Sequence, residues 1–152
     1  MVENELVIAL IEKIESVVEN EILPVQNGDP RPPKIINGFL PPKRTGVDDD
    51  YPFVIVRPET GTSERESTTV KVAIIIGCYS LDYDGYAYCL NVMTRIRNAL
   101  AALDDGILNG RYVLQYPLTW KSPAEPAYPF WEIYLETNWY FNTPQIPFRE
   151  DL

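Results

Sequence analysis

YPFVIVRPETGTSERESTTVKVAIIIGCY, residues 51–79, is the stretch from which the fold can be read. Phe53, Val54, Ile55 and Val56 form one β-rich apolar run, and Val70, Val72, Ile74, Ile75 and Ile76 form another; the two read as adjacent antiparallel strands. Between them, Pro58 to Thr69 carries no aliphatic side chain. A tight hairpin has no use for so long a polar insert. Residues 58–69 are therefore expected to project as a polar β-arm or flexible loop, the first place to look for a partner. Within the second run, Val70, Val72, Ile74, Ile76 and Cys78 fall on one face, and Ala73, Ile75 and Tyr79 share the other with Lys71. Two apolar faces describe a central strand covered on both sides. Helices can cover one; the other is a candidate for a partner chain.

Working outward, Val7, Leu10, Ile11, Ile14, Val17 and Val18 recur at helical spacing between Asn4 and about Glu21, and Leu23-Pro24 ends that helix. Prolines 24, 30, 32, 33, 41, 42 and 52 make 24–52 an extended, irregular segment, while Ile35, Ile36, Phe39 and Leu40 suggest that it lies along the domain or a neighbouring subunit. Leu90, Met93, Ile96, Leu100 and Leu103 predict a second helix from Tyr86 to Leu103, capped by Asp82 or Asp84. Strands follow at about Tyr112 to Trp120 and Phe130 to Phe141. In the latter, Trp131, Ile133, Leu135 and Trp139 face inward while Glu132, Tyr134, Glu136 and Asn138 face outward. The expected fold is one α+β domain over 1–152, of order α-β-β-α-β-β: a mainly antiparallel sheet of about four strands, two helices on one face, and a flexible tail over 142–152.

The chain has 152 residues, a formal charge of −9 and no histidine. Its length suffices for one core without disulfides or metal. Its acidity speaks against adhesion to a phosphate backbone, although DNA passing through an acidic channel without sticking is compatible with it. No apolar run approaches a membrane span, and Glu3 and Glu5 stand where a secretory signal carries positive charge, so a soluble, intracellularly made protein is expected. Cys78 and Cys89 read as buried thiols, although pairing is possible in principle.

Without histidine, Ser-His-Asp and Cys-His sites cannot be built, and no glycine-rich phosphate loop occurs. Asp48, Asp49 and Asp50 could hold a hard cation but read more simply as a solvated turn. Ser80 to Gly85 resembles the start of a calcium loop, yet Asn91 stands where a bidentate Glu is required. No catalytic residue, metal or cofactor is assigned. Ten tyrosines, read as exposed in quantity with some belonging to the core, suit packed interfaces.

From the first helix to Phe141, the chain resembles the tail terminator or tail completion proteins of long-tailed phages and prophages. The resemblance rests on element order and local pattern: the Pro-rich passage ending in Asp50-Tyr-Pro-Phe-Val-Ile-Val-Arg57, the polar excursion, the strand Val70 to Tyr79, the Gly85-Tyr helix and the closing Trp131-Glu-Ile-Tyr-Leu strand. It implies a non-enzymatic virion protein, made in the bacterial host cytoplasm. Such a protein forms a ring, typically a hexamer, on the head-proximal end of the tail tube, where it stops polymerisation and offers a surface for head-tail joining. The implied partners are further copies of itself, the major tail tube protein and a head-proximal connector or stopper, with no sequence-specific nucleic acid and no membrane. Interface candidates are Arg57, Lys71, Glu132, Tyr134 and Glu136 on the sheet, and Glu64, Arg65 and Glu66 on the arm.

Three other readings compete. Another head-tail connector or minor tail protein would belong to the same structural class. A metal-assisted hydrolase would use Asp48 to Asp50 with Asp82 or Asp84. An acidic inhibitor-type binder would form a heterodimer with a basic partner.

Overall fold

The structure is a computed structural model describing residues 2–40, 50–125 and 127–142. Its elements are α1 (Val2–Val18), β1 (Lys34–Asn37), β2 (Phe53–Ser63), β3 (Ser67–Tyr79), α2 (Tyr86–Ala101), a 3₁₀ turn (Asp104–Gly106), β4 (Ile107–Leu108), β5 (Tyr112–Lys121) and β6 (Phe130–Asn142). The class is α+β, with six strands in place of about four. They form one mixed sheet in the order β1-β2-β3-β6-β5-β4. Among the described residues only the β1–β2 pair is parallel; it sets Lys34 opposite Phe53 and Asn37 opposite Val56.

The alternation expected in β3 holds. Val70, Val72, Ile74, Ile76 and Cys78 join α1, α2 and the inward residues of β6 in the main core. Both helices therefore lie on one sheet face, α1 burying Leu6, Leu10 and Ile14 and α2 burying Val92, Met93, Ile96 and Leu100. Each such side chain contributes about 1.5–3 kcal/mol by leaving water. On the opposite face, Phe53, Ile55, Ala73 and Ile75 form a smaller cluster against which Ile36, Leu40, Tyr51 and Tyr134 pack. The chain itself thus covers much of the face for which a partner chain was a candidate.

Several expectations are corrected. Residues 58–69 are not a loop: both strands run into the insert and turn only at Glu64–Glu66, where the Glu64 amide donates to the Ser67 carbonyl at 2.7 Å. Nor does the insert stand clear of the sheet, since Ser67 to Lys71 pair with Asn138 to Asn142 of β6. Ser and Thr supply the β-propensity that the missing aliphatic residues would otherwise give. Helix α2 is capped by neither Asp82 nor Asp84. Gly85 holds the N-cap position without a side-chain cap, because the Trp131 indole and Ser80 fill the space of a Cβ there. Helix α1 ends at Val18, before the proline.

In the Pro-rich segment, β1 occupies a sheet edge, as its prolines allow. The Arg31 guanidinium fastens it, donating to the carbonyls of Pro32 (2.9 Å), Asp50 (3.2 Å), Tyr51 (3.1 Å) and Pro52 (3.1 Å). Residues 41–49 lie outside the described residues, so Asp48 and Asp49 do too. Of the expected tail, Asn142 ends β6 and the remainder is not described. No helix among the described residues is long and apolar enough to cross a membrane.

Candidate interaction surface

The outward side chains of β2, β3, β5 and β6 meet in rows. One row runs from Arg57 through Ala73 and Glu136 to Thr119, and the next from Ile55 through Ile75 and Tyr134 to Lys121. Five of the eight candidate residues (Arg57, Lys71, Glu132, Tyr134 and Glu136) therefore share this outer face. The other three, Glu64, Arg65 and Glu66, are exposed at the ribbon tip. Ten residues of β3 separate Ser67, beside that tip, from Gly77, opposite Glu132. At about 3.3 Å per residue this spans about 33 Å, so the candidates form two sites.

On the outer face each charged candidate residue has a local partner. Arg57 donates from Nε to the Gly38 carbonyl at 2.8 Å and lays its guanidinium 4.1 Å from the centre of the Phe39 ring. Lys71 Nζ lies 3.6 Å from Glu136 Oε2. Glu132 accepts from two phenols, Tyr51 at Oε1 (2.9 Å) and Tyr134 at Oε2 (2.8 Å). Burial, with the Glu132 hydrogen bond and charge adding to it, pushes the Tyr134 phenol up to about 12. At neutral pH it is a fixed donor and not a nucleophile.

Two depressions flank Tyr134. One, of about 230 Å³, lies among Arg57, Glu59, Lys121 and Glu136; the other, of about 210 Å³, lies among Tyr51, Phe130 and Glu132. A third, of about 330 Å³, opens on the helix side of the sheet, where Glu3 faces Pro58 to Gly61, Ser63 and Val70. Among the described residues, no group of three or more His, Cys, Asp or Glu side chains could hold a metal ion. Alternating charges, tethered phenols and shallow apolar floors are the equipment of macromolecular recognition.

Sequence reasoning missed Tyr51, Phe39 and Lys121. Tyr51 and Phe39 reach this face from the Pro-rich segment, which has no periodicity to follow. Lys121 follows a bulge that breaks the alternation of β5. The tyrosines divide between core and surface: Tyr112 is buried, Tyr51, Tyr79, Tyr88, Tyr134 and Tyr140 are half-buried, and Tyr83, Tyr86, Tyr116 and Tyr128 are exposed.

Away from this surface, the cysteines are neighbouring buried free thiols. The Cys89 thiol points at the Trp131 carbonyl at 3.3 Å, and its contact with Cys78 together with burial pushes it up.

No protein-family model matches the chain, and no curated protein matches it.

Proposed function

We propose that this chain is a structural, non-enzymatic protein that assembles with copies of itself into a ring capping a phage tail tube at its head-proximal end. The observation that carries this reading is an open sheet with two unlike edges: β1 and, beyond it, the polar β2 ribbon on one side, and β4 and, beyond it, β5 with exposed Tyr116 and Trp120 on the other. Unlike edges favour head-to-tail contacts, which close as rings when the rotation between copies allows. The formal charge of −9 supports a lumen through which DNA passes without adhering. The ribbon tip Glu64–Glu66, exposed and polar, is the surface offered to the tube protein or to a connector.

Adding the purified chain to polymerising major tail tube protein tests the reading. Tubes capped at one end and shorter as the chain's concentration rises are the expected result in electron micrographs. Tubes of unchanged length with no bound chain would refute the capping role. A chain that binds tubes without limiting their growth would favour a connector.

A further inference from the structure

The edges of this sheet are stepped, and the steps match. An upper row runs Thr62 (β2), Thr69 (β3), Tyr140 (β6), Val113 (β5), Ile107 (β4). A lower row runs Asn37 (β1), Val56 (β2), Ile74 (β3), Leu135 (β6), Trp120 (β5). Both rows are five strands wide, but the lower one is displaced sideways by one strand. Strand β1 covers β2 only over Phe53–Val56, and β4 covers β5 only at Tyr112 and Val113. Among the described residues, no strand covers the far side of Thr60–Ser63 or of Thr119–Lys121.

We infer that these two stepped edges are the joint between successive copies of this chain, which extend one sheet head to tail. A second copy displaced across the sheet, helices on the same side, fills both steps at once: its β4 comes beside Thr60–Ser63, and its Thr119–Lys121 comes beside β1. Strand sense agrees at the longer contact. Three successive antiparallel pairings separate β2 from β5, so β5 runs against β2 and also against β1, which is parallel to β2. The incoming β5 therefore meets β1 antiparallel.

Side-chain faces agree as well. Trp120 is opposite Leu135 of the helix-side core, and Ile35, two residues before Asn37 on β1, packs on that same core. Four of the ten large exposed apolar groups among the described residues, Phe39 (70% exposed), Tyr116 (61%), Trp120 (47%) and Ile107 (36%), lie on these two edges. Edge strands are otherwise kept short, charged or covered. The joint supplies their cover, and the occupant is a second copy because the shape complementary to each step is the chain's other edge.

The inference rests on the ring reading for closure alone, and the test separates the two. Two double variants place cysteines in the same row on opposite edges, one carrying Thr62→Cys with Ile107→Cys and the other Asn37→Cys with Trp120→Cys. Neighbouring strands bring Cα atoms to about 4.5–5.5 Å, within disulfide range. Each double variant is oxidised with diamide at high concentration and run on a non-reducing gel, while the unmodified chain and a Phe39→Ala variant are sedimented over a wide concentration range. Expected are ladders of multimers from both double variants, nothing beyond dimers when any one of the four cysteines is introduced alone, a species of fixed mass from the unmodified chain, and association weakened roughly tenfold by Phe39→Ala. A discrete oligomer without ladders would overturn the joint and leave the ring reading standing. Ladders with sedimentation that grows without limit would uphold the joint and overturn ring closure. Neither ladders nor association would overturn both.

Discussion

The ring of Phe53 lies across Gly77, its register partner on β3, in the space a side chain at position 77 would fill. The missing Cβ admits an aromatic ring into the smaller, outer core without bending the sheet. Gly77→Ala would force ring and strand apart, at a cost of about 1–3 kcal/mol. Urea unfolding should show a lower midpoint at unchanged slope. A midpoint equal to the parent's would mean that the ring moves aside freely.

Thr137 is fully buried and mediates a chain of hydrogen bonds. Its hydroxyl donates to the Val72 carbonyl at 2.8 Å and accepts from the Trp139 indole N–H at 2.9 Å. Thr137→Val keeps the shape but orphans the indole, so a loss of about 1–3 kcal/mol is expected. Thr137→Ser should recover most of it. If Val proved as stable as Thr in thermal unfolding, the indole would have found another acceptor.

Tyr134 makes stability depend on alkaline pH. Its phenol ionises at about 12 in the fold against an ordinary 10.0, so the unfolded chain gives up this proton first. The stabilisation is complete below about pH 10 and is lost as pH rises toward 12. Tyr134→Phe should flatten that part of the stability profile, leaving the slope from Tyr112, whose phenol burial also raises. Glu132→Gln should bring the Tyr134 phenol down toward 10, read by phenolate absorbance. An unmoved phenol would show that burial alone sets its value.

Arg65 and Glu66 are exposed at the ribbon tip, and replacing either by Ala should change stability by no more than about 0.5 kcal/mol. Deleting 60–67 joins Glu59 to Thr68 and draws Thr68 to Val70 into the new turn, leaving β3 from about Lys71 onward paired with β6. The deleted chain should therefore fold, with reduced stability, and assemble poorly. Circular dichroism and sedimentation together decide the matter: an unfolded deletion variant would make the ribbon a part of the core structure and not an assembly device.

What could be read from the sequence depended on alternation surviving. It survives in β3 and β6, so the inward and outward residues of both, including Glu132, Tyr134 and Glu136, follow from spacing alone. It fails in β5, where four steps from Gln115 to Thr119 accompany two steps from Asn138 to Glu136. That bulge hid Lys121. Strand β1 was hidden because its parallel pairing joins Lys34 to Phe53 with no local turn to announce it. The polar ribbon was left open between β-arm and loop because apolarity stood in for strand formation, whereas backbone pairing to β6 suffices for Ser67–Lys71. The partnership of Tyr51 with Glu132 joins residues 81 positions apart and leaves no trace in spacing.

Arg31 has one further implication. Prolines 30, 32 and 33 bring no amide hydrogens of their own, so a single cation gathers the carbonyls that fix the approach to β1. A strand of four residues secured in this way is a latch, able to open without melting what lies behind it. The Lys34 and Gly38 amides, which donate to β2 and its preceding Pro52 carbonyl, should exchange with solvent deuterium well before those of β3 and β6. Subunit addition would then slow that exchange, turning a local opening into a clock for assembly.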